Sequence, residues 1–410
     1  MKAIQLIELT KHIPRYLLAR AVGAVYPPLL WGPLAMIRYG EVPEPALPGP
    51  QWVKIKTRYG GICGSDLNAV LLKVNPALSV LVPLPIVLGH ENVGTIVEVG
   101  QEAEGFAPGD RVVADPLLPC AARGIEEPCD FCRRGEISLC QNLAEKGVVS
   151  GLSIGFCRDT GGSWGPFFVA HRSQLVRVPE NVSDENALMA EPFSVALHPV
   201  MRNLPKDDDT VLVLGAGTAG LGVVAALRAL GCQARVLAVA KYPFQGEMAR
   251  SLGADKVIYL REGDYFRAVA EATGGKLHKP VLGKRILVGG ADIVYECVGN
   301  KHSVDDSLRL ARSGGTVVLL GMAGLLRQVD WTPIWLNELM VKGSVWGGVE
   351  TFQGRAVRTI QLALEWMAKG KLDLSPMVTH RFRLEDYKRA LAVTANKGRH
   401  RAIKSIFVFD

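Results

Sequence analysis

A glycine-rich loop in the middle of the chain restricts the fold more than any other feature of the sequence. It follows an apolar run, Thr210–Leu214, and precedes an apolar stretch that ends near Gly231. In such a loop one glycine permits a tight turn, the next lets a pyrophosphate approach the backbone, and the last lets a helix pack on the strand. The residues expected to contact a dinucleotide are Gly215, Gly217, Thr218, Ala219 and Gly220.

The remaining pattern predicts two domains, since 410 residues are too many for one ordinary core. Apolar runs alternate with helical stretches over residues 201–346, which predicts an α/β domain with a doubly wound parallel sheet. Residues 1–200 contain short alternating strands and many glycines and prolines, which predicts a mostly β domain. We expect residues 347–410 to return to that first domain.

The residues after the glycine loop bear on the choice of cofactor. NAD-binding loops usually have an acidic residue about 20 positions on, which binds the ribose hydroxyls. No acidic residue occurs from Leu221 to Gly246, and the predicted second strand ends in Ala240, Lys241 and Tyr242. We expect Lys241 to meet a 2′-phosphate and Tyr242 to pack near the adenine, which favours NADP. The alternative is a solvated lysine in a protein that still accepts NAD.

The cysteines predict a metal site in a reducing compartment, and we therefore expect a cytoplasmic protein. Cys129 and Cys132 form a C-x-x-C pair, and Cys140 follows. Cys120 is the nearest fourth cysteine, beyond an insertion at 121–128. Four thiolates would enclose a structural zinc, in a lobe over about 115–145. The alternative is a loop with three free thiols.

A second metal site is predicted from Cys63, His90 and Glu191. A catalytic zinc needs a thiolate, an imidazole, a third ligand and an open position. Cys63 and His90 both lie beside glycines, where side chains can converge. An isolated cysteine or histidine is more often a core residue, so the flanking segments Gly61–Asp66 and Gly89–Glu91 are what favour a metal site.

These motifs, in this order along nearly the whole chain, resemble the zinc-dependent medium-chain dehydrogenase/reductase family, the alcohol dehydrogenase superfamily. The resemblance implies a GroES-like, mostly β catalytic domain that is split in sequence around a Rossmann domain. Glu191 lies in Ala190–Ser194, which is similar to the Glu-Pro-x-Ser segment of polyol and threonine dehydrogenases. The resemblance also implies that Ser65 passes on the substrate proton, Asp66 orients the histidine ligand, and Glu91 approaches the metal.

The implied function is the zinc-dependent transfer of a hydride between a secondary alcohol and NAD(P), which gives a ketone or an aldehyde. The substrate would be a polyol, a sugar or an amino alcohol, and the enzyme a homodimer or homotetramer. A zinc-free quinone or enoyl reductase would lack Cys63 and His90. A catalytically silent binding protein would have no need for Ser65 and Asp66.

The chain departs from the family in several places. Asn68 stands where alcohol dehydrogenases often have a proton-relay histidine. The segments 11–39 and 276–290 are long, and we expect both to be packed surface loops, although either could shape the pocket or a subunit contact. The uncharged stretch 21–37 contains three prolines, which favours a packed loop over a membrane segment, and we expect no membrane partner. The net charge of +7 comes from scattered residues, so we expect no nucleic-acid partner.

Overall fold

The computed structural model describes residues 1–23, 25–145 and 147–409. The strands, in chain order β1 to β20, are Lys2–Leu6, Ile37–Glu41, Trp52–Gly61, Ile86–Val87, Asn92–Val99, Arg111–Ala114, Phe167–His171, Leu175–Arg177, Thr210–Leu214, Arg235–Ala240, Lys256–Tyr259, Lys276–His278, Ile286–Val288, Ala291–Glu296, Ala311–Leu319, Met340–Gly343, Val349–Phe352, Arg355–Arg358, Val378–Phe382 and Lys404–Val408.

The α-helices, in chain order α1 to α13, are Ile13–Gly23, Gly64–Val70, Asp130–Arg133, Asp184–Leu188, Ala190–Arg202, Thr218–Ala229, Pro243–Ser251, Tyr265–Thr273, Lys301–Leu310, Thr332–Leu336, Thr359–Ala368, Tyr387–Ala395 and Lys397–His400. Short 3-10 helices cover Leu9–His12, Pro27–Trp31, Pro76–Val80, Ile137–Leu139, Arg172–Gln174, Ser375–Met377 and Leu384–Asp386. The chain forms two compact units, one of Met1–Glu191 with Thr351–Asp410 and one of Pro192–Glu350.

The second unit contains the doubly wound sheet that the glycine loop predicts. Its six strands are parallel and are ordered β11-β10-β9-β14-β15-β16, which is 3-2-1-4-5-6 in their own chain order. The order reverses between β9 and β14, and dinucleotides bind at the carboxyl ends of the strands at such a reversal. The core of the sheet is apolar: Val211, Leu212 and Val213 have no exposed surface. The glycine loop therefore lies at the expected ligand-binding edge.

The first unit is mostly β. Its largest sheet has the order β19-β20-β3-β5-β6-β8, and β7 also pairs with β3. A separate sheet is formed by β2, β1 and β4. Because β20 pairs with β3, the last strand of the chain lies in the same sheet as strands from its first quarter. Strand β3 and the residues that precede β5 carry the predicted catalytic segments, so this sheet positions the site.

The two long segments are not both packed loops. Between residues 11 and 39, Leu30, Trp31 and Met36 are buried as expected, but α1 forms a helix that leaves many apolar side chains exposed. Residues 276–290 form a hairpin of β12 and β13, with Lys276 opposite Val288. At its tip, Val281 and Leu282 are 100 and 88% exposed rather than packed. These differences arise because the sequence alone does not show which tertiary contacts a segment makes.

No helix in the described part of the chain is long and apolar enough to cross a bilayer.

Candidate metal and cofactor sites

Four cysteine side chains converge in one lobe of the first unit. Cys129 immediately precedes α3, Cys132 lies within it, and Cys140 follows a short 3-10 helix. The four Sγ atoms lie within 4.8 Å of one another, and those of Cys120 and Cys140 are 3.6 Å apart. The structure thus places Cys120 beside the three cysteines of the motif, despite the insertion between them.

This set of sulfur atoms fits a tetrahedral zinc ion. The backbone N–H of Cys129 donates to Sγ of Cys120 at 3.4 Å, and the N–H of Gln141 donates to Sγ of Cys129 at 3.5 Å. Burial raises the pKa of Cys129, but the N–H groups of Gln141 and Cys132 lower it, to about 6. Burial and the neighbouring Cys120 raise the pKa of Cys140. Four ionised thiols this close repel one another, so a cation is needed to hold them all as thiolates.

The insertion that separates Cys120 from Cys129 carries a buried arginine. Arg123 is 1% exposed. Its guanidinium donates hydrogen bonds to the backbone carbonyl groups of Leu118, Leu143, Glu145, Val149 and Gly151. Burial lowers its pKa, while Cys140 and the other nearby thiols favour its charge. Arg123 therefore ties together the chain on both sides of the cysteine motif, and the sequence gives no signal for this beyond its place in the insertion.

Asp66 holds Cys63 and His90 next to each other. Cys63 caps the N-terminus of α2, and Oδ2 of Asp66 accepts a hydrogen bond from its N–H at 3.0 Å. The other carboxylate oxygen lies 3.3 Å from Nδ1 of His90. A histidine oriented through Nδ1 presents Nε2 to a metal, and Nε2 lies 3.5 Å from Oγ of Ser65. This is the arrangement that the resemblance predicts for Asp66.

The electrostatics around His90 fit a bound cation. The ring is 3% exposed, and burial by itself lowers the pKa of His90. The negative charges of Asp66 and Cys63 outweigh this and raise the pKa well above its usual value. The surroundings of the imidazole therefore favour a positive charge, which either a proton or a metal cation can supply.

Glu91 forms a buried ion pair with Lys404. The Nζ atom of Lys404 lies 2.5 and 2.7 Å from the two carboxylate oxygens, and both side chains are at most 2% exposed. Gly61 makes room for this pair, because a β-carbon there would lie 1.9 Å from Oε2 of Glu91. Lys404 was not predicted from the sequence, although a single lysine in an apolar strand is a signal for a buried ion pair.

The structure groups Cys63 and His90 with Glu91 rather than with Glu191. The possible ligand atoms of Cys63, His90 and Glu91 all lie within 4.8 Å of one another. Among the described residues, Glu191 is not a member of that set. It is buried at the start of α5, and burial together with the charge of Glu91 raises its pKa to about 8, against the opposing effect of His90. Its role as third ligand stays a prediction.

Two of the three glycines in the loop after β9 are required by the geometry of the loop itself. Gly215 has φ +106°, a conformation that residues with a β-carbon rarely adopt. Gly220 would place a β-carbon 1.8 Å from the carbonyl oxygen of Gly215, so it allows the close approach of α6 to the loop. Gly217 caps α6 and faces open space. The backbone N–H groups of Gly217, Thr218 and Ala219 lie at the start of this helix, where a phosphate can bind.

Two basic side chains lie on Tyr242 at the end of β10. The Nζ atom of Lys241 is 5.5 Å from the ring centroid of Tyr242, and Cζ of Arg261 is 5.4 Å from the same centroid. Arg261 is close because Ala240 lies in register with Tyr259 on the neighbouring parallel strand β11. Lys241 and Tyr242 were predicted from the sequence, but Arg261 was not, because it is 20 residues from Lys241 and joins them only through the sheet.

Trp164, Phe167 and Trp346 differ in their exposure, and only exposed aromatic side chains are available to a substrate. Trp164 is fully buried, donates from Nε1 to the carbonyl of Gly61 at 2.9 Å, and packs edge-on against Phe407. It belongs to the core, where it supports the segment that leads to Cys63. Phe167 and Trp346 are partly exposed, in the first and second unit respectively.

Two family models match the chain. That of the alcohol dehydrogenase GroES-like domain matches residues 49–180, and that of zinc-binding dehydrogenases matches residues 219–361. The L-idonate 5-dehydrogenase of Vitis vinifera is 31% identical over 363 residues, which are 88% of each chain. This chain belongs to the zinc-type medium-chain alcohol dehydrogenase family. Among other members of the family, the sorbitol dehydrogenase of Arabidopsis thaliana is 30% identical over 88% of this chain and 89% of its own.

A solved structure supports the same family assignment. The zinc-binding dehydrogenase of Sinorhizobium meliloti 1021, bound to NADP, is 27% identical, with a TM-score of 0.70 over 91% of this chain and 95% of that chain. These relatives confirm the predicted fold class and the predicted enzyme class. This alcohol dehydrogenase family member is a zinc-containing, NAD(P)-dependent oxidoreductase, and the zinc-free reductase is disfavoured.

Proposed function

We propose that this dehydrogenase oxidises a secondary alcohol of the polyol, sugar or amino-alcohol class, with NADP as the preferred cofactor. The observation that carries the proposal is the contact of one carboxylate, Asp66, with both Cys63 and His90, beside the hydroxyl of Ser65. The relatives named for idonate, sorbitol and threonine support the substrate class. We also propose that the enzyme forms a homodimer or homotetramer and that it is located in the cytoplasm.

In this proposal Cys63, His90 and Glu191 hold the catalytic zinc, which, when bound, acts as a Lewis acid that lowers the pKa of the substrate hydroxyl. Ser65 passes the hydroxyl proton on: its Oγ accepts that proton while its own O–H proton leaves towards water. Asp66 keeps His90 in the orientation in which Nε2 faces the metal. Lys404 fixes the carboxylate of Glu91 beside them, through the two short contacts described above.

The first test is the rate of NADPH and NADH formation by the zinc-loaded enzyme with polyols, aldoses, threonine-like amino alcohols and simple secondary alcohols. Cys63→Ser should lower turnover roughly a thousandfold or more, since the metal contributes several kcal/mol to catalysis, and should leave the melting temperature nearly unchanged. Cys129→Ser is the matched variant. It opens the four-thiol site, so its main effect should be a lower melting temperature rather than a loss of turnover by the folded enzyme. Wild-type turnover by Cys63→Ser would show that the catalytic-zinc assignment is wrong.

The preference for NADP rests on Lys241 and Arg261. Both side chains lie against the ring of Tyr242, and neither forms an ion pair with a carboxylate of the described residues, so their positive charges are available to a phosphate. The NADP-bound relative from Sinorhizobium meliloti supports the same cofactor. In this proposal the two side chains bind the 2′-phosphate and Tyr242 packs near the adenine.

Lys241→Ala and Arg261→Ala should each lower kcat/KM for NADP by roughly 10- to 150-fold, the value of a charge-assisted hydrogen bond of about 1.5–3 kcal/mol. The kcat/KM for NAD should change much less, because NAD has no 2′-phosphate. Lys256→Ala is a matched control, since Lys256 is an exposed lysine at the opposite end of β11. Equal or higher kcat/KM with NAD in the wild-type enzyme would contradict the preference.

An exposed apolar surface near the edge strand β16 supports a homodimer or homotetramer. Trp331, Trp335 and Leu336 are 55, 71 and 53% exposed, and Met340 on β16 is 54% exposed. Exposed edges of sheets are usually covered, and a second copy of the chain can pair with such an edge. The four-thiol lobe supports the cytoplasm, where thiols stay reduced.

A further inference from the structure

The helix α1 has its apolar side turned away from the protein. Ala19 and Gly23 are buried and mark the inward face. The outward face carries large apolar side chains that are one third to three fifths exposed: Ile13 at 53%, Leu17 at 59%, Leu18 at 53% and Val22 at 37%. A surface helix of a globular protein normally shows the opposite arrangement, with polar residues outward.

Helical geometry shows how continuous this outward face is. At about 100° per residue, Ile13, Leu17, Leu18 and Val22, together with the exposed Pro14 and Ala21, cover an arc of about 180°. Arg15 and Arg20 follow just outside its two borders. Arg15 donates to the carbonyl of Pro33 at 3.1 Å, and Arg20 donates to the hydroxyl of Tyr16 at 3.1 Å. The arc is therefore an apolar strip with a guanidinium on each side.

The surroundings of this strip are cationic in sequence. Residues 9–40 contain no aspartate or glutamate, but they contain Lys11, Arg15, Arg20 and Arg38. Of these, Lys11 is paired with Glu8 just before the segment, with Nζ 2.7 Å from Oε2. Just after α1 the chain continues with two more exposed apolar side chains, Val25 at 85% and Tyr26 at 59%. Arg15 and Arg20 bind neutral oxygen atoms and form no ion pair with a carboxylate in the part of the chain that the structure describes. Apolar side chains flanked by such arginines are complementary to an apolar phase covered by negative charge.

We propose that the outward face of α1 binds the surface of an anionic phospholipid bilayer. The apolar side chains would enter the boundary of the acyl chains, and Arg15 and Arg20 would meet phosphate groups at the level of the headgroups. A second copy of the same face is a poorer occupant, because it would bring arginines near arginines with no carboxylate between residues 9 and 40 to pair with them. The proposal is independent of the substrate and departs from the sequence-based expectation of no membrane partner.

The test is flotation of the zinc-loaded, full-length enzyme with vesicles of phosphatidylcholine alone and of phosphatidylcholine with about one third phosphatidylglycerol. We expect binding to the anionic vesicles and much weaker binding to the neutral ones. The double variant Leu17→Ser/Leu18→Ser should lower the partition constant at least about tenfold, because two leucines no longer gain from leaving water. Arg15→Glu/Arg20→Glu should lower it on anionic vesicles only.

The matched control is Val281→Ser/Leu282→Ser at the tip of the β12–β13 hairpin, where the two side chains are 100 and 88% exposed. It removes as much exposed apolar surface from the other unit and should leave vesicle binding unchanged. A similar loss in this control, equal binding to neutral vesicles, or no binding to either kind would overturn the proposal. So would light scattering that shows Leu17→Ser/Leu18→Ser to dissociate an oligomer, since a second copy would then cover the face. Melting temperature and NADPH binding verify that each variant is folded.

Discussion

Removing the charge of Lys404 should destabilise the first unit strongly, because Glu91 would keep a carboxylate that is 1% exposed and has lost its cation. Breaking a buried ion pair from one side typically costs about 3–5 kcal/mol. At about 2–4 °C per kcal/mol for a unit of this size, Lys404→Met should lower the melting temperature of the first unit by roughly 6–20 °C. The measurement is thermal unfolding of the zinc-loaded protein near neutral pH.

Two further variants separate the charge effect from packing. Glu91→Gln/Lys404→Met removes both charges and should recover at least half of the lost melting temperature, because replacing a whole buried pair is often nearly neutral. Lys54→Met removes a lysine from a more exposed pair with Glu98 in the same sheet, where the side chains are 19 and 51% exposed. It should cost at most about 1 kcal/mol. If Lys404→Met is no less stable than Lys54→Met, or if the double variant is no more stable than Lys404→Met, the unpaired charge of Glu91 is not what destabilises the protein.

Two other predictions follow from buried polar groups. Arg123→Met should speed zinc release from the four-thiol lobe to a chelating dye at least several-fold, since buried carbonyls that lose their donor cost about 1–3 kcal/mol each; an unchanged rate would contradict this. Burial lowers the pKa of His171 to about 4, and the neutral ring accepts from the N–H of Ser173 and contacts Gln51. Its stabilisation is therefore complete above about pH 6.5 and is lost as the pH falls towards 4. His171→Gln should flatten the fall of melting temperature over that range, and an unaltered slope would argue against this role.

Short motifs made much of the chemistry predictable from the sequence. The glycine loop works through backbone conformation, and Gly215 and Gly220 are required by their own immediate neighbours. The pair Cys129 and Cys132 also meets within a single turn of chain. Where spacing along the chain fixes spacing in three dimensions, residue identity is enough to predict which side chains meet.

Contacts between distant segments were not predictable in this way. Lys404 meets Glu91 across 313 residues, through the pairing of β20 with β3. Arg261 reaches Tyr242 only because β10 and β11 are in register. The sequence also did not predict that the apolar face of α1 is exposed, since its pattern is equally compatible with burial of that face. Such contacts depend on the order of strands, which the local sequence does not encode.

The pairing of β20 with β3 also sets the order in which the two units can fold during synthesis on the ribosome. The second unit is one continuous segment, Pro192–Glu350, and can fold as soon as it has been synthesised. The first unit needs Thr351–Asp410 as well, and this segment contains Lys404. Until β20 has been synthesised, Glu91 lacks the ammonium group of Lys404, and β3, which leads to Cys63, lacks the strand that pairs with it. The nucleotide-binding half is therefore made ready first, and the metal centre is completed only when synthesis of this last strand is over.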